Sequence, residues 1–300
     1  MTTAFSSLPA APAVATAQAA LTAIERNARA SSDFAAKLVR TQDLLRQAAS
    51  DYAAPSAGAA PLVTQANSLG AEDMVVSHLI NQMQLDIGIF VLQTGQLHPE
   101  TLTLLQSFKA TSRAPVEVFT PVQEATVQFV AREGKDAMYN SIELRKACCG
   151  IRKMEPLARA LDGKQAWVTG LRREQSGARA DVPLIDTTDA SRVKFNPLAD
   201  WTWGDVWHYI GLHQVAYNPL HDQFFPSIGC APCTRAIALG EDFRAGRWWW
   251  EDETAKECGL HAQDASPVNQ SLLTVRAEPV EALSHNTNAL EQAQGERSLA

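Results

Sequence analysis

The chain has 300 residues, 46% of them hydrophobic, which suits one large α/β domain or two small ones. Its 33 acidic and 26 basic residues give a net charge of -7, which argues against a general nucleic-acid binder. The sequence has no run of 18 apolar residues that would predict a membrane span, and its amino terminus does not resemble a secretory signal. We therefore expect a cytoplasmic protein whose cysteines are reduced.

Composition predicts three parts along the chain. Residues 1–58 read as an alanine-rich tail with one or two helices between 16 and 50, and residues 59–262 read as the main domain. Residues 263–300 are polar and lack periodicity, which predicts disorder.

The main domain alternates short apolar runs with helical patterns. The predicted strands are Leu62–Gln65, Ile87–Leu92, Val116–Phe119 and Ala166–Gly170. The predicted helices are Met74–Met83, Pro99–Phe108, Val122–Arg132 and, after a Thr202 cap, Trp203–Leu212; a helix, turn and helix are predicted over Glu143–Leu161. This alternation indicates a doubly wound parallel sheet with helices on both faces. Ligands of such folds bind at the carboxyl ends of the strands.

Four of the five cysteines form two tight pairs, and this pattern indicates a soft-metal centre. Cys148 and Cys149 are adjacent, whereas Cys230 and Cys233 have the C-x-x-C spacing. Side chains of adjacent residues diverge on most backbones, so both seldom bind one tetrahedral zinc ion. We therefore favour an iron–sulfur cluster over zinc. Ordinary buried thiols could explain one such pair, but poorly explain two.

A predicted anion pocket accompanies the cysteines. The turn Ser68–Gly70 lies between a strand and a helix, where backbone N–H groups could bind an anion, although the turn lacks a Walker pattern and could be an ordinary tight turn. Cations cluster near the cysteines or in loops, at Arg152, Lys153, Arg172, Arg173, Arg179, Arg235, Arg244 and Arg247. In an acidic protein this clustering favours a focused anionic pocket, although for any single arginine a solvated surface is the simpler alternative.

The fifth cysteine, Cys258, stands apart between Lys256 and His261. Nearby cations lower the pKa of a thiol and favour the nucleophilic thiolate. The alternative is an unremarkable cysteine near a mobile terminus.

Together these motifs resemble the sulfonucleotide reductase family of assimilatory sulfate reduction, and most closely its iron–sulfur type, the adenylyl-sulfate (APS) reductases. The matching stretches are S-L-G-A-E-D, C-C-G-I-R-K-x-E-P-L, G-L-R-R-E-Q-S, Y-N-P-L-H-D, P-S-I-G-C-A-P-C-T-R, G-E-D-x-R-A-G-R-W-W-W-E and K-E-C-G-L-H. They span roughly residues 60 to 261.

The resemblance implies a fold like that of the adenine-nucleotide α-hydrolases and a [4Fe-4S] cluster on Cys148, Cys149, Cys230 and Cys233. It implies that the thiolate of Cys258 attacks the sulfur of adenosine 5′-phosphosulfate, that AMP leaves, and that thioredoxin or a glutaredoxin-like reductant releases sulfite from the S-sulfocysteine. This is a step of sulfate assimilation towards cysteine.

The resemblance also implies roles for single residues. Ser68, Leu69, Gly70 and Glu72 would belong to a modified phosphate loop that continues to Asp73, and Lys153 would lie between cluster and substrate. Arg179, Arg244 and Arg247 would hold the phosphosulfate, and His261 would accompany Cys258 on a mobile C-terminal segment that closes over the site.

One departure from the family pattern concerns the turn after the second strand. The usual L-D-T-G reads Leu92-Gln93-Thr94-Gly95 here, so an amide replaces the carboxylate. This weakens any ribose or adenine contact assigned to the acid, whereas the backbone at Thr94 and Gly95 remains a candidate contact.

Three alternatives stay open at this point. A reductase of the 3′-phosphorylated substrate (PAPS), or of both substrates, shares K-E-C-G-L-H but usually lacks the cysteine pairs. A cluster-bearing tRNA-thiolating enzyme would have an S-G-G-x-D-S loop, which this chain lacks. A zinc-stabilised nucleotide-binding module would leave Cys258 without a role. The sequence carries no interface signature, although a homo-oligomer is possible.

Overall fold

The protein is built on a six-stranded sheet with a doubly wound strand order. In the computed structural model, which describes residues 21–251, the strands are β1 Val63–Ala66, β2 Gly88–Leu92, β3 Val116–Phe119, β4 Ala166–Val168, β5 Ile185–Asp186 and β6 Val193–Phe195. Their order is β3-β2-β1-β4-β6-β5, and every neighbouring pair is parallel except β5 and β6. The four predicted strands are confirmed as β1 to β4, and two further short strands, β5 and β6, which periodicity did not reveal, extend the sheet beyond β4.

The α-helices within the described residues precede, connect and follow these strands. They are α1 Ala23–Asn27, α2 Phe34–Asp51, α3 Ala71–Gln82, α4 Pro99–Thr111, α5 Gln123–Glu133, α6 Ile142–Cys149, α7 Glu155–Ala160 and α8 Trp203–His213. None of the helices in residues 21–251 combines the length and apolarity that crossing a bilayer requires.

Both faces of the sheet are covered, because successive side chains of β2 enter different cores. Ile89 and Val91 belong to the large core that includes helices α3 and α8, whereas Phe90 packs with Leu157 and Trp167 in a second cluster. Side chains of a strand alternate between its two faces. The buried apolar run therefore reflects a strand enclosed on both sides.

The two helices that precede β1 pack on the same core as the sheet. Leu45 and Ala48 of α2 are fully buried in it, and Ala23 of α1 is 1% exposed. The boundary predicted at residue 58 therefore separates segments that share one core in the structure.

The segment that carries the first cysteine pair differs from the predicted helix, turn and helix. Helices α6 and α7 are joined by a π-helical segment, Gly150–Met154, rather than by a turn. Pro156 has no N–H group to donate to the carbonyl four residues earlier, so a regular α-helical ladder cannot run through this position. Such π segments often occur at functional sites because they reorient side chains.

The predicted start of α8 is confirmed by a capping box. The hydroxyl of Thr202 accepts a hydrogen bond from Asp205 N at 3.0 Å, and the Asp205 carboxylate accepts one from Thr202 N at 2.9 Å. This reciprocal pair satisfies two backbone donors at the helix end.

Candidate functional site

A cleft with a volume of about 210 Å³ opens at the carboxyl edge of the sheet. Ser68 follows β1, Thr94 follows β2 and Gly170 follows β4, and all three residues line the cleft. Since β2 and β4 flank β1, the cleft lies at the point where the strand order reverses direction. This is the position at which doubly wound folds bind their ligands.

The loop between β1 and α3 is held in shape by its own hydrogen bonds. Leu69 has a left-handed backbone with φ of 63°, and its side chain is fully buried in the core. Its N–H donates to the side-chain oxygen of Asn67 at 2.6 Å. A non-glycine residue in this conformation is uncommon, and burial of the leucine side chain compensates for the local strain.

Asp73, in the first turn of α3, ties this loop to the end of β4. Its Oδ2 accepts hydrogen bonds from the N–H and the hydroxyl of Ser68 at 2.8 and 2.5 Å, and its Oδ1 accepts one from Gly170 N at 2.9 Å. A side chain on Gly170 would not fit, because its Cβ would lie 2.4 Å from Oδ1 of Asp73. Burial raises the pKa of Asp73 to about 6, and the charge of Glu72 adds to this effect, against the hydrogen bonds from Ser68.

Arg172 is a structural cation rather than a ligand-binding one. Its side chain is fully buried, and it donates to the carboxylate of Glu72 at 3.0 Å and to Glu174 at 3.1 Å. Arg173 bonds to the carbonyl of Val182 and pairs with Asp200. Neither residue lines the cleft, so these two members of the predicted cation cluster lie outside the cleft wall.

Four cations do line the cleft, namely Lys153, Arg179, Arg244 and Arg247. Arg179 donates to the side-chain oxygen of Gln175 at 2.6 Å. The guanidinium of Arg247 lies 4.8 Å from the ring centroid of Trp248. Gly229 makes room for it, since a Cβ there would lie 2.4 Å from a terminal nitrogen of Arg247. The three arginines are each 7–8% exposed, so their charges act in a partly desolvated environment that strengthens their interaction with an anion.

The four paired cysteines line a second, much smaller cavity of about 20 Å³. Cys148, Cys230 and Cys233 are 7–8% exposed and belong to one apolar cluster with Trp248. The structure thus brings together two pairs that have 80 residues between them along the chain.

Hydrogen bonds attach this cysteine cavity to the end of β2. The hydroxyl of Thr94 lies 3.2 Å from Sγ of Cys230, and the carbonyl of Thr94 accepts a hydrogen bond from Arg152 at 2.8 Å. Gln93 replaces the expected carboxylate, and its side-chain oxygen accepts the N–H of Gly95, so the amide closes this turn.

The four thiols are soft donors of the kind that bind iron–sulfur clusters or zinc. Burial raises the pKa of Cys233 to about 11, and the neighbouring Cys230 adds to this effect. Burial also raises the pKa of Cys148, although Arg152 opposes it. Metal binding to these thiols would therefore release protons. Among residues 21–251, no group of three or more His, Cys, Asp and Glu side chains is arranged to hold a metal ion.

Lys153 joins the two cavities, because it lines both of them. Its charge lowers the pKa of the thiols of Cys148 and Cys233, against the larger effect of burial. The cleft and the cysteine cavity therefore share one cation.

Most of the predicted substrate residues lie in the cleft wall. Those that line it are Ser68, Gly70, Glu72, Thr94, Lys153, Arg179, Arg244 and Arg247. Leu69 and Gly95 are not in the wall, and Gly95 instead lies against Arg152. Cys258 and His261 lie outside the described residues.

Sequence reasoning missed several polar residues of the cleft wall, among them Asn67, Gln175 and His221. Asn67 shapes the loop after β1, Gln175 bridges Glu72 and Arg179, and His221 packs its ring against Trp203 and Trp207. His221 belongs to the matching stretch Y-N-P-L-H-D, which was the only signal available for it. Burial lowers the pKa of His221 to about 4, so this ring is neutral at pH 7.

Comparison of the sequence with known proteins gives a family and two similar enzymes. The family model of the phosphoadenosine phosphosulfate reductase domain matches residues 63–236. The adenosine 5′-phosphosulfate reductase of Allochromatium vinosum is 52% identical over 207 residues, which cover 69% of this chain and 81% of the relative. The enzyme of the same name from Burkholderia cepacia is 48% identical over 237 residues, which cover 79% and 92%.

A solved structure, that of phosphoadenylyl-sulfate (PAPS) reductase from Candida auris as a phosphate complex, is similar with a TM-score of 0.53. The match has 25% identity and covers 64% of this chain and 88% of that one.

Proposed function

The chain belongs to the phosphoadenosine phosphosulfate reductase domain family, and we propose that it is an oxidoreductase that reduces adenosine 5′-phosphosulfate to sulfite and AMP in sulfate assimilation. The names of the two relatives at 48–52% identity support this substrate.

The observation that carries the proposal is the shared wall of the two cavities. A cleft at the switch point of the sheet suits an adenine nucleotide, and Lys153 connects it to four thiols. A hydrolase or simple nucleotide-binding module has no need of such a soft-donor centre beside its cleft.

The reaction that we propose starts with the thiolate of Cys258. Its sulfur attacks the sulfate sulfur, the bond from that sulfur to the bridging oxygen breaks, and the electron pair leaves with AMP. In the second step a thiol of thioredoxin or of a glutaredoxin-like protein attacks Sγ of Cys258 and releases sulfite. The reductant's second thiol then resolves the mixed disulfide, so a dithiol supplies the two electrons.

The cations of the cleft would stabilise the first step. Negative charge develops on the leaving AMP, and Lys153, Arg179, Arg244 and Arg247 are the positive groups of the cleft wall. Preorganised cations lower the barrier because they need no reorganisation when the charge forms.

Cys148, Cys149, Cys230 and Cys233 would hold a [4Fe-4S] cluster, for which their number and chemistry are suitable. When bound, the cluster would supply a fixed centre of charge rather than electrons, since the electrons come from thiols. Arg145 and Arg152 also line this cavity, so cations surround the donors. The cytoplasm, where thiols stay reduced, is the compartment that we propose.

Label transfer tests the reaction directly. Anaerobically purified protein is mixed with sulfur-labelled APS without a thiol and run on a non-reducing gel. We expect labelled protein that thioredoxin discharges as sulfite, and no label on the Cys258→Ser variant. Sulfite release by that variant at the wild-type rate would refute the assignment of the nucleophile.

Two cysteine variants separate the proposed nucleophile from the proposed cluster ligands, and each is the control for the other. Cys258→Ser should keep its iron and visible absorbance but lose the label, because Cys258 is not a proposed ligand. Cys230→Ser should lose iron and absorbance. If Cys230→Ser kept the wild-type iron content and spectrum, Cys230 would be removed from the ligand set.

PAPS reduction is the alternative that the comparisons keep open, because the matched family and the Candida auris enzyme both carry that name. The same labelling experiment with sulfur-labelled PAPS ranks the two substrates.

A further inference from the structure

A buried ion pair joins the helix of the first cysteine pair to the segment that carries two cations of the cleft. Arg145 lies on α6, three residues before Cys148, and Glu251 lies four residues after Arg247. Nε and Nη2 of Arg145 donate to the two carboxylate oxygens of Glu251, each at 2.8 Å. The two side chains are 1% and 3% exposed. A two-point contact of this kind fixes the orientation of both groups as well as their distance.

Stability alone is a weak explanation for this pair. The desolvation of two charges cancels much of their attraction, so a buried ion pair often adds no more stability than well-packed apolar side chains of similar volume. What the pair adds is a defined geometry between two segments that are distant along the chain. Arg145 lines the cysteine cavity, so this geometry is set beside the four thiols.

Trp248 carries this geometry towards the cleft. Its ring is 1% exposed and contacts two guanidinium groups, that of Arg145 at 4.5 Å and that of Arg247 at 4.8 Å from the ring centroid. The N–H of Glu251 donates to the carbonyl of Trp248 at 2.9 Å, so the partner of Arg145 is also bound to the backbone beside this ring. Arg145 therefore holds Trp248 directly and through Glu251.

The two cleft cations of this segment belong to one tight turn, residues 244–247. The N–H of Arg247 donates to the carbonyl of Arg244 at 2.8 Å, which closes the turn. Both arginines line the cleft, and the charge of Arg247 lowers the pKa of the Cys233 thiol, against the larger effect of burial. A displacement of the turn would therefore move both cations relative to the cleft and to the cysteines.

We propose that Arg145 is a positioning residue, which acts through Glu251 to hold the turn 244–247 where its two cations bind the phosphate group of the nucleotide. Arg145 lines the cysteine cavity but not the cleft, so it acts on the ligand only through other residues. The inference rests on the proposed function and adds to it how the anion-binding end of the cleft is kept in register with the cysteine cavity.

Binding of AMP and of adenosine separates positioning from general stability. AMP carries the phosphate that the cations would bind and adenosine lacks it, so the ratio of the two dissociation constants isolates the phosphate contact. Calorimetry on anaerobically purified protein measures this ratio for the wild type, for Glu251→Gln and for the control Glu241→Gln. Glu241 forms the same two-point contact with Arg235, at 2.8 Å for both bonds, but that pair is 34–38% exposed and outside the cleft wall.

We expect Glu251→Gln to weaken the binding of AMP by about 10-fold and to leave the binding of adenosine unchanged, because a misplaced cation loses its charge-assisted hydrogen bond to the phosphate. Glu241→Gln should keep the wild-type ratio. Equal weakening for both ligands, or the wild-type ratio in folded Glu251→Gln protein, would overturn the inference. A wild type that binds AMP no more tightly than adenosine would overturn it as well.

A double-variant cycle tests whether the effect passes through the cleft cations. Arg247→Met removes one of them, so Glu251→Gln should weaken the binding of AMP by less in this background than in the wild type. Strictly additive effects of the two substitutions would contradict the proposed path.

Two further outcomes have a defined meaning. Glu251→Gln leaves the charge of Arg145 buried without its partner. If this loss prevents folding, Glu251→Asp decides, because it keeps the charge but shortens the side chain by one methylene group, and an unchanged ratio there would overturn the inference. Wild-type protein that binds AMP but turns over neither APS nor PAPS would refute the proposed function alone, since the positioning test measures binding only.

Discussion

Two aspartates of this protein have almost the same hydrogen bonds but opposite pKa shifts. Asp205 accepts from the N–H and hydroxyl of Ser31 at 2.7 and 2.8 Å and from Thr202 N at 2.9 Å. Asp73 accepts from the N–H and hydroxyl of Ser68 and from Gly170 N. Burial raises the pKa of both, yet that of Asp205 falls to about 2 and that of Asp73 rises to about 6.

Their charged neighbours differ. Asp205 receives a further hydrogen bond from Lys37 Nζ at 3.1 Å, whereas burial is the largest cause of the raised pKa of Asp73 and the charge of the adjacent Glu72 adds to it. A buried carboxylate that is paired with a cation can stabilise the fold, whereas burial of an unpaired carboxylate costs free energy. Asp73, the carboxylate without a paired cation among the described residues, lies in the cleft, as expected of a group with a role in binding.

The largest expected effect on stability comes from removing the positive charge of Lys37. Lys37→Met leaves the carboxylate of Asp205 buried without its charged partner and should lower the free energy of unfolding by about 3–5 kcal/mol at pH 7. Urea denaturation measures this loss. Lys135→Met is the control, since Lys135 is 84% exposed where it pairs with Asp136, and a similar loss there would contradict the explanation.

Asp205→Asn should remove a pH-dependent contribution of about 2 kcal/mol. The folded pKa of about 2 lies below the unfolded value of 3.8, so this stability is present above pH 4 and is lost as the pH falls towards 2. Denaturation curves between pH 2 and 7 should show the wild type and the variant converging at low pH. A difference that is constant over this range would show that Asp205 does not have the depressed pKa.

The two serines allow a matched test of smaller size. Ser31→Ala should cost about 1 kcal/mol of stability, because its hydroxyl bonds both Asp205 and Lys37 in a partly buried site. Ser68→Ala should change stability by less, because Ser68 is exposed at the cleft. Thermal unfolding compares the two variants, and a larger loss for Ser68→Ala would reverse our assignment of the structural site.

The smallest effect is a change in titration. Glu72→Gln should lower the pKa of Asp73, by less than about one unit, because the charge of Glu72 is a minor cause of the shift after burial. Carboxyl NMR titration of Asp73 measures it, with exposed Glu117→Gln as the control. An unchanged or higher pKa would remove Glu72 as a cause.

Local sequence patterns predicted helices and strands well where the spacing of apolar residues matches the faces that are buried in the structure. The run that became β2 is apolar throughout because both faces are enclosed, and Thr202 begins α8 as its capping pattern indicated. The π segment after Cys149 was not predicted, because a single extra residue in a helical turn leaves almost no trace in hydrophobic periodicity. Strand β5 has two residues, too few to show alternation.

By itself, the sequence determined which chemistry is available, namely two cysteine pairs, a strand–turn–helix loop and a surplus of cations in loops. Only the tertiary structure decided which of these groups meet. Arg172 and Arg179 are both arginines of the loop region after β4, and the sequence does not distinguish their roles. In the structure Arg172 forms ion pairs with Glu72 and Glu174, whereas Arg179 lines the cleft. Charge pairing and desolvation depend on neighbours distant along the chain, and the fold supplies those neighbours.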